Sequence, residues 1–317
     1  MQAKMHAGMQ AKMLTKMKKT GKGIRKNLGL YIMFAIPFAW YLVFKYAPMY
    51  GIQIAFRRFN PTLGITGSPW TDLTYFKQFF ESYYFTDILW NTVSLSVFTM
   101  LIGFPVPILL ALLINEIKNV RFKKLIQNIT YIPNFLSVVV IVSMLTLFSN
   151  SDYGLFNKIT GLFGAEPVDF MSKPALFQPL YVFSNVWQFM GFNAIIYIAA
   201  LSGVDQELYE AASIDGATRL QKIVHISIPC IMSTIIVLFI MRIGSLMSVG
   251  FEKVYLMQNS VTLSASEVIS TFIYKNGIQK GQFSYSTAVG LFNSVINFVL
   301  LVSANFASKK LTKTSLW

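Results

Sequence analysis

Six apolar runs, each long enough to cross a lipid bilayer, dominate this sequence. A membrane-spanning helix needs about 20 predominantly apolar residues. Apolar residues make up 54% of the 317 residues and charged residues only 13%, and the mean hydropathy is +0.53. The predicted spans are 28–47, 88–114, 126–149, 177–201, 231–250 and 284–306. The sequence therefore predicts an all-α membrane protein with six transmembrane helices.

Glycine and proline residues interrupt two of the predicted spans. Gly103, Pro105 and Pro107 lie in the second span, and Pro133 lies in the third. Proline removes a backbone donor and its ring clashes with the preceding turn, so it bends or unwinds a helix. Membrane spans tolerate such residues because neighbouring groups can satisfy the freed backbone. We therefore expect local breaks in these two spans.

The loops between the spans differ in positive charge. Seventeen Lys and Arg residues lie on the side that carries both termini and the loops 115–125 and 202–230. Only eight lie in the loops 48–87, 150–176 and 251–283. Positive residues accumulate on the cytoplasmic side of membrane proteins. An even number of spans with this charge distribution predicts that both termini are cytoplasmic.

Three segments make up the predicted domain organisation. Residues 1–27 form a basic, Met-rich cytoplasmic extension, 28–306 form the six-span domain, and 307–317 form a cytoplasmic tail. The methionines of the extension recur every four residues. This spacing predicts either an apolar helical stripe on the inner leaflet or a loosely ordered extension upstream of a later start methionine. The net charge of +14 indicates contact with anionic membrane lipid and not with nucleic acid.

The sequence lacks the residue sets that most enzymes and metal sites use. Cys230 is the only cysteine, and His6 and His225 are the only histidines. We therefore expect no disulfide, no metal site and no Ser-His-Asp arrangement. The chain also has no G-x-x-x-x-G-K-[ST] loop for nucleotide phosphates. It is predicted to have no catalytic residues and no cofactor, so ATP-driven transport would need a separate ATPase chain.

A polar loop separates the fourth and fifth predicted spans. Asp205 and Glu207 place an acceptor and negative charge where a short helix would begin. Ala211 and Ala212 give that helix a small-residue face, and Gly216 can adopt the left-handed conformation that ends it. The loop is therefore predicted to hold a short helix at the membrane surface.

The spacing within this loop resembles the EAA loop of bacterial ABC-importer permeases. That pattern is E-A-A, three residues, G, nine residues and I-x-L-P, and here it is matched by Glu210, Ala211, Ala212, Gly216, Ile226 and Pro229. Ile228 replaces the leucine, which conserves side-chain volume. The resemblance implies that the loop couples the membrane helices to a cytoplasmic ATPase, with Glu210 against a basic group of the ATPase. ATP and magnesium would bind the ATPase.

Other motifs are similar to those of LplB-type permeases, a subgroup of the maltose-permease-like family assigned to oligosaccharide uptake. The resemblance runs from about residue 28 to the end of the chain. Its motifs are Tyr50-Gly51, Phe59-Asn60-Pro61, Gly67-Ser68-Pro69-Trp70, Arg242-Ile243-Gly244, Val249-Gly250-Phe251-Glu252-Lys253, the run 284–294 and Thr314-Ser315-Leu316-Trp317. It implies a subunit of a multi-pass importer in a bacterial cell membrane. The implied partners are a second permease, expected to be a different chain, two copies of the ATPase and an extracellular solute-binding protein.

Arg242 is the main candidate for contact with the transported molecule. It lies about twelve residues into the fifth predicted span, where a cation costs about 2.5 kcal/mol or more and should face protein or water. A role in the path would favour an acidic oligosaccharide, whereas the alternative is a structural arginine. Further candidates for the path are Asn185, Trp187, Gln188, Asn193, Asn293 and Asn297. Their polar groups match sugar hydroxyls, but they could equally bond one helix to another.

Other classes of membrane protein fit the sequence less well. An ion-coupled secondary sugar transporter would carry acidic residues within its spans, yet all 13 Asp and Glu lie in loops or at span edges. A membrane-embedded enzyme would need a cluster of His, Asp or Glu. The acidic cluster of the sequence, Asp205, Glu207, Glu210 and Asp215, is already accounted for by the cytoplasmic loop. A permease of an ABC importer for a non-sugar solute remains the second alternative.

Overall fold

The computed structural model describes residues 27–316. The predicted extension 1–27 therefore lies, except for Asn27, outside the described residues. The chain divides into two compact units, Met1–Trp70 and Thr71–Trp317. Helices account for nearly all of the regular structure, and the described residues contain only two isolated β-bridges, Arg57 with Trp70 and Asn60 with Gly64.

The first unit contains one long apolar helix. Helix α1 (Leu28–Tyr41) continues through a π turn (Leu42–Tyr46) into a 3₁₀ stretch (Ala47–Phe56). The whole segment Leu28–Phe56 is 29 residues long and apolar enough to span a membrane. None of its most apolar window is buried, so this helix presents its apolar side chains to lipid or to other chains. A short helix, α2 (Gly64–Gly67), follows.

The second unit holds the remaining helices. They are α3 (Thr74–Phe80), α4 (Phe85–Gly103), α5 (Pro105–Asn115), α6 (Val120–Tyr131), α7 (Val138–Ser149), α8 (Leu155–Gly161), α9 (Pro174–Ser202), α10 (Gln206–Ile214), α11 (Arg219–Lys222), α12 (Ile228–Ile243), α13 (Phe251–Met257), α14 (Leu263–Ser266), α15 (Ile269–Tyr274) and α16 (Phe283–Thr312). Short 3₁₀ stretches (Ile132–Phe135 and Phe170–Ser172) and π turns (Ile223–Ser227 and Lys275–Gln279) join some of them.

Five helical segments of the described chain are long and apolar enough to cross a membrane, and a bent pair makes a sixth. They agree with the six predicted spans, although one is broken. Between Val120–Phe135 and Val138–Ser149 the chain bends by 100°, because Pro133 converts the end of α6 into a 3₁₀ turn. The second span breaks more gently, with α4 ending at Gly103 and α5 beginning at Pro105. Both breaks fall where the glycine and proline residues predict them.

The fifth span differs from its predicted bounds of 231–250. Its helical segment runs from Arg219 to Ile243, because a π turn at Ile223–Ser227 carries the helix through to Pro229, which sits in the first turn of α12. The apolar residues after Ile243 form turns. Arg242 therefore lies in the last turn of the span and not twelve residues into it.

A close helix crossing fixes α9 against α6. Gly191 is buried in the middle of α9 and faces the backbone of Thr130 near the end of α6. A Cβ atom at Gly191 would overlap the Thr130 carbonyl group and lie 2.9 Å from the Thr130 Cβ. Only glycine allows this approach, as at other close crossings of membrane helices. The crossing holds the third span beside the long helix α9.

Candidate functional site

A cavity of about 420 Å³ lies within the second unit. Its walls come from α4, α5, α9, the end of α12 and the turn that follows α12. The polar side chains in the wall include Ser96, Thr99, Asn185, Asn193, Ser245 and Ser248. Aromatic rings of Phe104, Tyr181 and Phe189 complete it. This volume and mixture of polar and aromatic groups are typical of a site for a small polar molecule.

Among the described residues, Arg242 is the one charged residue in the cavity wall. Its side chain is exposed, and among the described residues the guanidinium has no carboxylate within salt-bridge distance. Its position in the last turn of α12 also suits a cation, because the partial negative charge of a helix lies at that end. A guanidinium without a protein anion is free to bind a carboxylate from a ligand with two hydrogen bonds.

The polar residues of α9 fall into two groups. Asn185 and Asn193 line the cavity beside Arg242, so three of the path candidates lie around one space. Trp187 and Gln188 do not line it. Trp187 packs against the hydrophobic core formed by α4, α7, α9 and α13, and Gln188 is buried. Trp187 and Gln188 thus support the wall from behind.

Gln188 belongs to a buried network that the sequence did not indicate. Its amide oxygen accepts a hydrogen bond of 2.7 Å from Lys253 Nζ, and its amide nitrogen donates to the Leu136 carbonyl at 3.3 Å. Leu136 lies at the 100° bend of the third span, and Lys253 lies on α13. Burial lowers the pKa of Lys253 to about 8, which leaves the amine protonated at pH 7. The network joins three separate segments behind the cavity wall.

Asn293 and Asn297 of α16 do not line the cavity. Asn297 accepts a hydrogen bond of 2.9 Å from the backbone N–H of Met247 and donates one of 3.1 Å to Ser248 Oγ. It therefore bonds α16 to the turn after α12. The Asn293 side-chain oxygen is buried and has no hydrogen-bond partner among the described residues. Neither residue is directed into the cavity by these contacts.

The polar loop contains a short helix with well-defined ends. The Asp205 side chain accepts a hydrogen bond of 3.0 Å from the N–H of Glu207 and so caps α10. At the other end Gly216 has a φ of 77°, which is the left-handed conformation predicted for the residue that ends the helix. The N–H groups of Gly216 and Ala217 donate to the carbonyls of Ser213 and Ala212 at 3.2 and 2.8 Å. This pair of bonds is a Schellman motif, which stops the helix.

One face of α10 is exposed. Glu207, Glu210 and Ala211 are exposed, Ala212 is half-buried, and the apolar side chain of Ile214 is 87% exposed. Exposed apolar and acidic side chains on one short helix form a surface that another protein can cover. The motif residues of the loop therefore lie together on an accessible surface.

Hydrogen bonds connect this helix to the beginning of the fifth span. The Tyr209 hydroxyl lies 2.9 Å from Ser227 Oγ, and Lys222 Nζ donates to Ser213 Oγ at 2.6 Å. Ile226 packs in the hydrophobic cluster at the base of the loop. Pro229 lies in the first turn of α12, two residues after Ser227. The short helix and the fifth span are thus joined by a short connection that hydrogen bonds and apolar contacts hold together.

No group of three or more His, Cys, Asp or Glu side chains able to hold a metal ion is found within residues 27–316. The described spans, the polar cavity and the exposed loop helix define a multi-pass membrane protein built around a path for a polar solute. Its residues 103–313 match the family model described as "Binding-protein-dependent transport system inner membrane component".

The sequence is similar to those of other transport proteins over most of its length. It is 42% identical to Protein LplB of Bacillus subtilis (strain 168) over 94% of this chain and 95% of the relative. It is 44% identical to the polygalacturonan/rhamnogalacturonan transport system permease protein YteP of the same organism, over 89% of this chain and 88% of the relative. The crystal structure of a bacterial ABC transporter involved in import of the acidic polysaccharide alginate superposes with a TM-score of 0.85. The identity is 38%, over 93% of this chain and 99% of that chain.

These matches extend over most of the chain and include both the cavity helices and the polar loop. The chain belongs to the family of binding-protein-dependent transport system inner membrane components. It is thus a membrane permease subunit, and the ATPase of such a system is a separate protein.

Proposed function

We propose that this protein is the permease subunit of an ATP-driven importer that moves an acidic, uronate-containing oligosaccharide into the cytoplasm. The main observation in its support is the cavity, where Arg242 lies with Asn185 and Asn193 and has no carboxylate within salt-bridge distance among residues 27–316. Amide groups donate to and accept from sugar hydroxyls, and a guanidinium binds a carboxylate through two parallel hydrogen bonds. A neutral sugar would leave the arginine without an anion.

The named relatives support an acidic cargo. YteP is named for polygalacturonan and rhamnogalacturonan, whose names both denote galacturonic acid units, and the structural neighbour is involved in import of the acidic polysaccharide alginate. A second solved structure of the alginate transporter contains a periplasmic protein bound to an alginate pentasaccharide. An extracellular binding protein that delivers the oligosaccharide is accordingly part of the proposal.

The loop containing α10 is the proposed contact with the ATPase. Two copies of the ATPase, with ATP and magnesium, would bind the loop of this chain and that of a second, different permease. The positive residues of both terminal segments and of the 115–125 loop, which lie on the same predicted side as this loop, support a cytoplasmic location for the loop and the termini. The protein would reside in the bacterial cell membrane.

The cargo assignment is tested by uptake into proteoliposomes that contain the permease pair and the ATPase, with the binding protein outside. Trigalacturonate and its fully methyl-esterified, neutral form are compared. We expect the Arg242→Gln variant to assemble and to lose most uptake of trigalacturonate, because glutamine keeps donors but removes the charge. The exposed Arg58→Gln variant is the matched control and should transport normally.

Two outcomes would overturn this assignment. The wild-type importer could take up both oligosaccharides at the same rate, in which case the cargo need not be acidic. Alternatively, Arg242→Gln could assemble and transport trigalacturonate like the wild type, in which case Arg242 is a structural residue.

A further inference from the structure

Lys253 is a buried cation beside the cavity, and it has no anionic partner in the part of the chain that the structure describes. Its side chain is only 4% exposed. The only salt bridge among the described residues is between Lys275 and Glu267, at 2.7 Å, and the adjacent Glu252 is exposed. Burying an ammonium group is costly unless an opposite charge compensates it. An uncharged side chain of similar length would pack on α13 at a lower cost, so the charge itself requires an explanation.

Two contacts hold the ammonium group immediately behind the cavity wall. Lys253 Nζ donates to the Gln188 amide oxygen at 2.7 Å and lies 5.7 Å from the centroid of the Phe189 ring. Phe189 lines the cavity, and so does Gly250, three residues before the lysine. The positive charge is therefore separated from the cavity by one layer of side chains. Gln188 is itself fixed by its hydrogen bond to the Leu136 carbonyl.

We propose that Lys253 is a specificity-determining residue: its charge, held behind the wall by Gln188, raises the affinity of the cavity for an anionic oligosaccharide without touching it. This inference rests on the proposed function. In the proposed function Arg242 binds a carboxylate directly, and Lys253 adds positive potential from behind the part of the wall that Phe189 forms. A unit charge about 10 Å away, at an effective dielectric constant of about 20, changes the binding of an anion by roughly tenfold.

The test compares Lys253→Met, which removes the charge, with Lys253→Gln, which removes the charge but keeps a donor for Gln188. Uptake of trigalacturonate and of its methyl ester is measured in the proteoliposomes described above. The binding protein is common to all variants, so only a change in the ratio of the two rates counts. We expect this ratio to fall about tenfold in both variants, whereas Lys253→Arg should keep it.

The control is Lys173→Gln, which makes the same charge change at an exposed site before α9 and should leave the ratio unchanged. Equal losses of both rates in the Lys253 variants would mean that the lysine only supports the structure, and would overturn the inference. Failure of both Lys253→Met and Lys253→Gln to assemble would overturn it for the same reason.

The result also separates this inference from the proposed function. If the wild type prefers trigalacturonate and the Lys253 variants keep that preference, the role proposed for Lys253 is refuted, but the proposal of an acidic cargo is not. If the wild type shows no preference, the acidic cargo is wrong, and the inference falls with it.

Discussion

The crossing of α6 and α9 provides a quantitative test of the fold. Replacing Gly191 with alanine adds one methyl group that would overlap the carbonyl group of Thr130. These are backbone atoms, so no side chain can rotate away and the two helices must separate. Inserting a methyl group into a tightly packed site costs about 1–3 kcal/mol. We expect Gly191→Ala to destabilise the protein by about 3 kcal/mol, at the upper end of that range.

Gly103→Ala is the matched control. Gly103 also lies in a membrane helix, but a Cβ atom there would meet only Val186 Cγ2 at 3.6 Å, an ordinary contact. Since alanine favours a helix over glycine by about 1 kcal/mol, this variant should be neutral or slightly stabilised.

The measurement is the thermal unfolding midpoint of the purified protein in detergent. At about 2–4 °C per kcal/mol, Gly191→Ala should unfold roughly 6–12 °C below the wild type, and Gly103→Ala should not. Equal midpoints for the two variants would refute the crossing and the reason given for glycine at position 191.

Two further predictions concern the loop and α16. Glu210→Lys and Gly216→Val should leave the protein in the membrane but abolish substrate-stimulated ATP hydrolysis, because one reverses the charge on the exposed face of α10 and the other forces a β-branched residue into a φ of 77°. Normal stimulation in both would contradict the coupling role. Asn297→Leu removes two hydrogen bonds and should lower the free energy of unfolding by about 2 kcal/mol, measured by thermal unfolding. The buried side-chain oxygen of Asn293 lacks a hydrogen-bond partner among the described residues, so Asn293→Leu should leave the stability unchanged. An equal loss of stability in both variants would contradict the hydrogen bonds assigned to Asn297.

The parts of the fold that the sequence predicts well depend on local signals. Asp205 caps α10 through a bond to a residue two positions later, and Gly216 ends the helix through its own backbone conformation. Pro133 likewise marks the break in the third span. The packing of that broken span against α9 at Gly191 was not predictable, because it brings together Thr130 and Gly191, which are distant in sequence.

The fifth span shows where composition misleads. The residues after Ile243 are apolar, so a hydropathy window includes them, but they form turns that the Asn297 side chain bonds to α16. The prediction therefore started the span too late and placed Arg242 too deep. Composition also gave no sign that Lys253 lies beside the cavity. It was counted as one charge of an outer loop, and only the structure brings it to Gln188, 65 positions earlier in the chain.

The arrangement of α9 and α12 explains how the loop and the cavity can influence each other. Helix α9 carries Asn185 and Asn193 in the cavity wall and ends at Ser202, three residues before the cap of α10. Helix α12 begins next to the loop and ends with Arg242 in the same wall. Coupling between distant sites requires rigid elements that both sites bias. If an ATPase binds α10 as we propose, its movement would reach both sides of the cavity along these two helices, and would change the distance between the asparagines and Arg242.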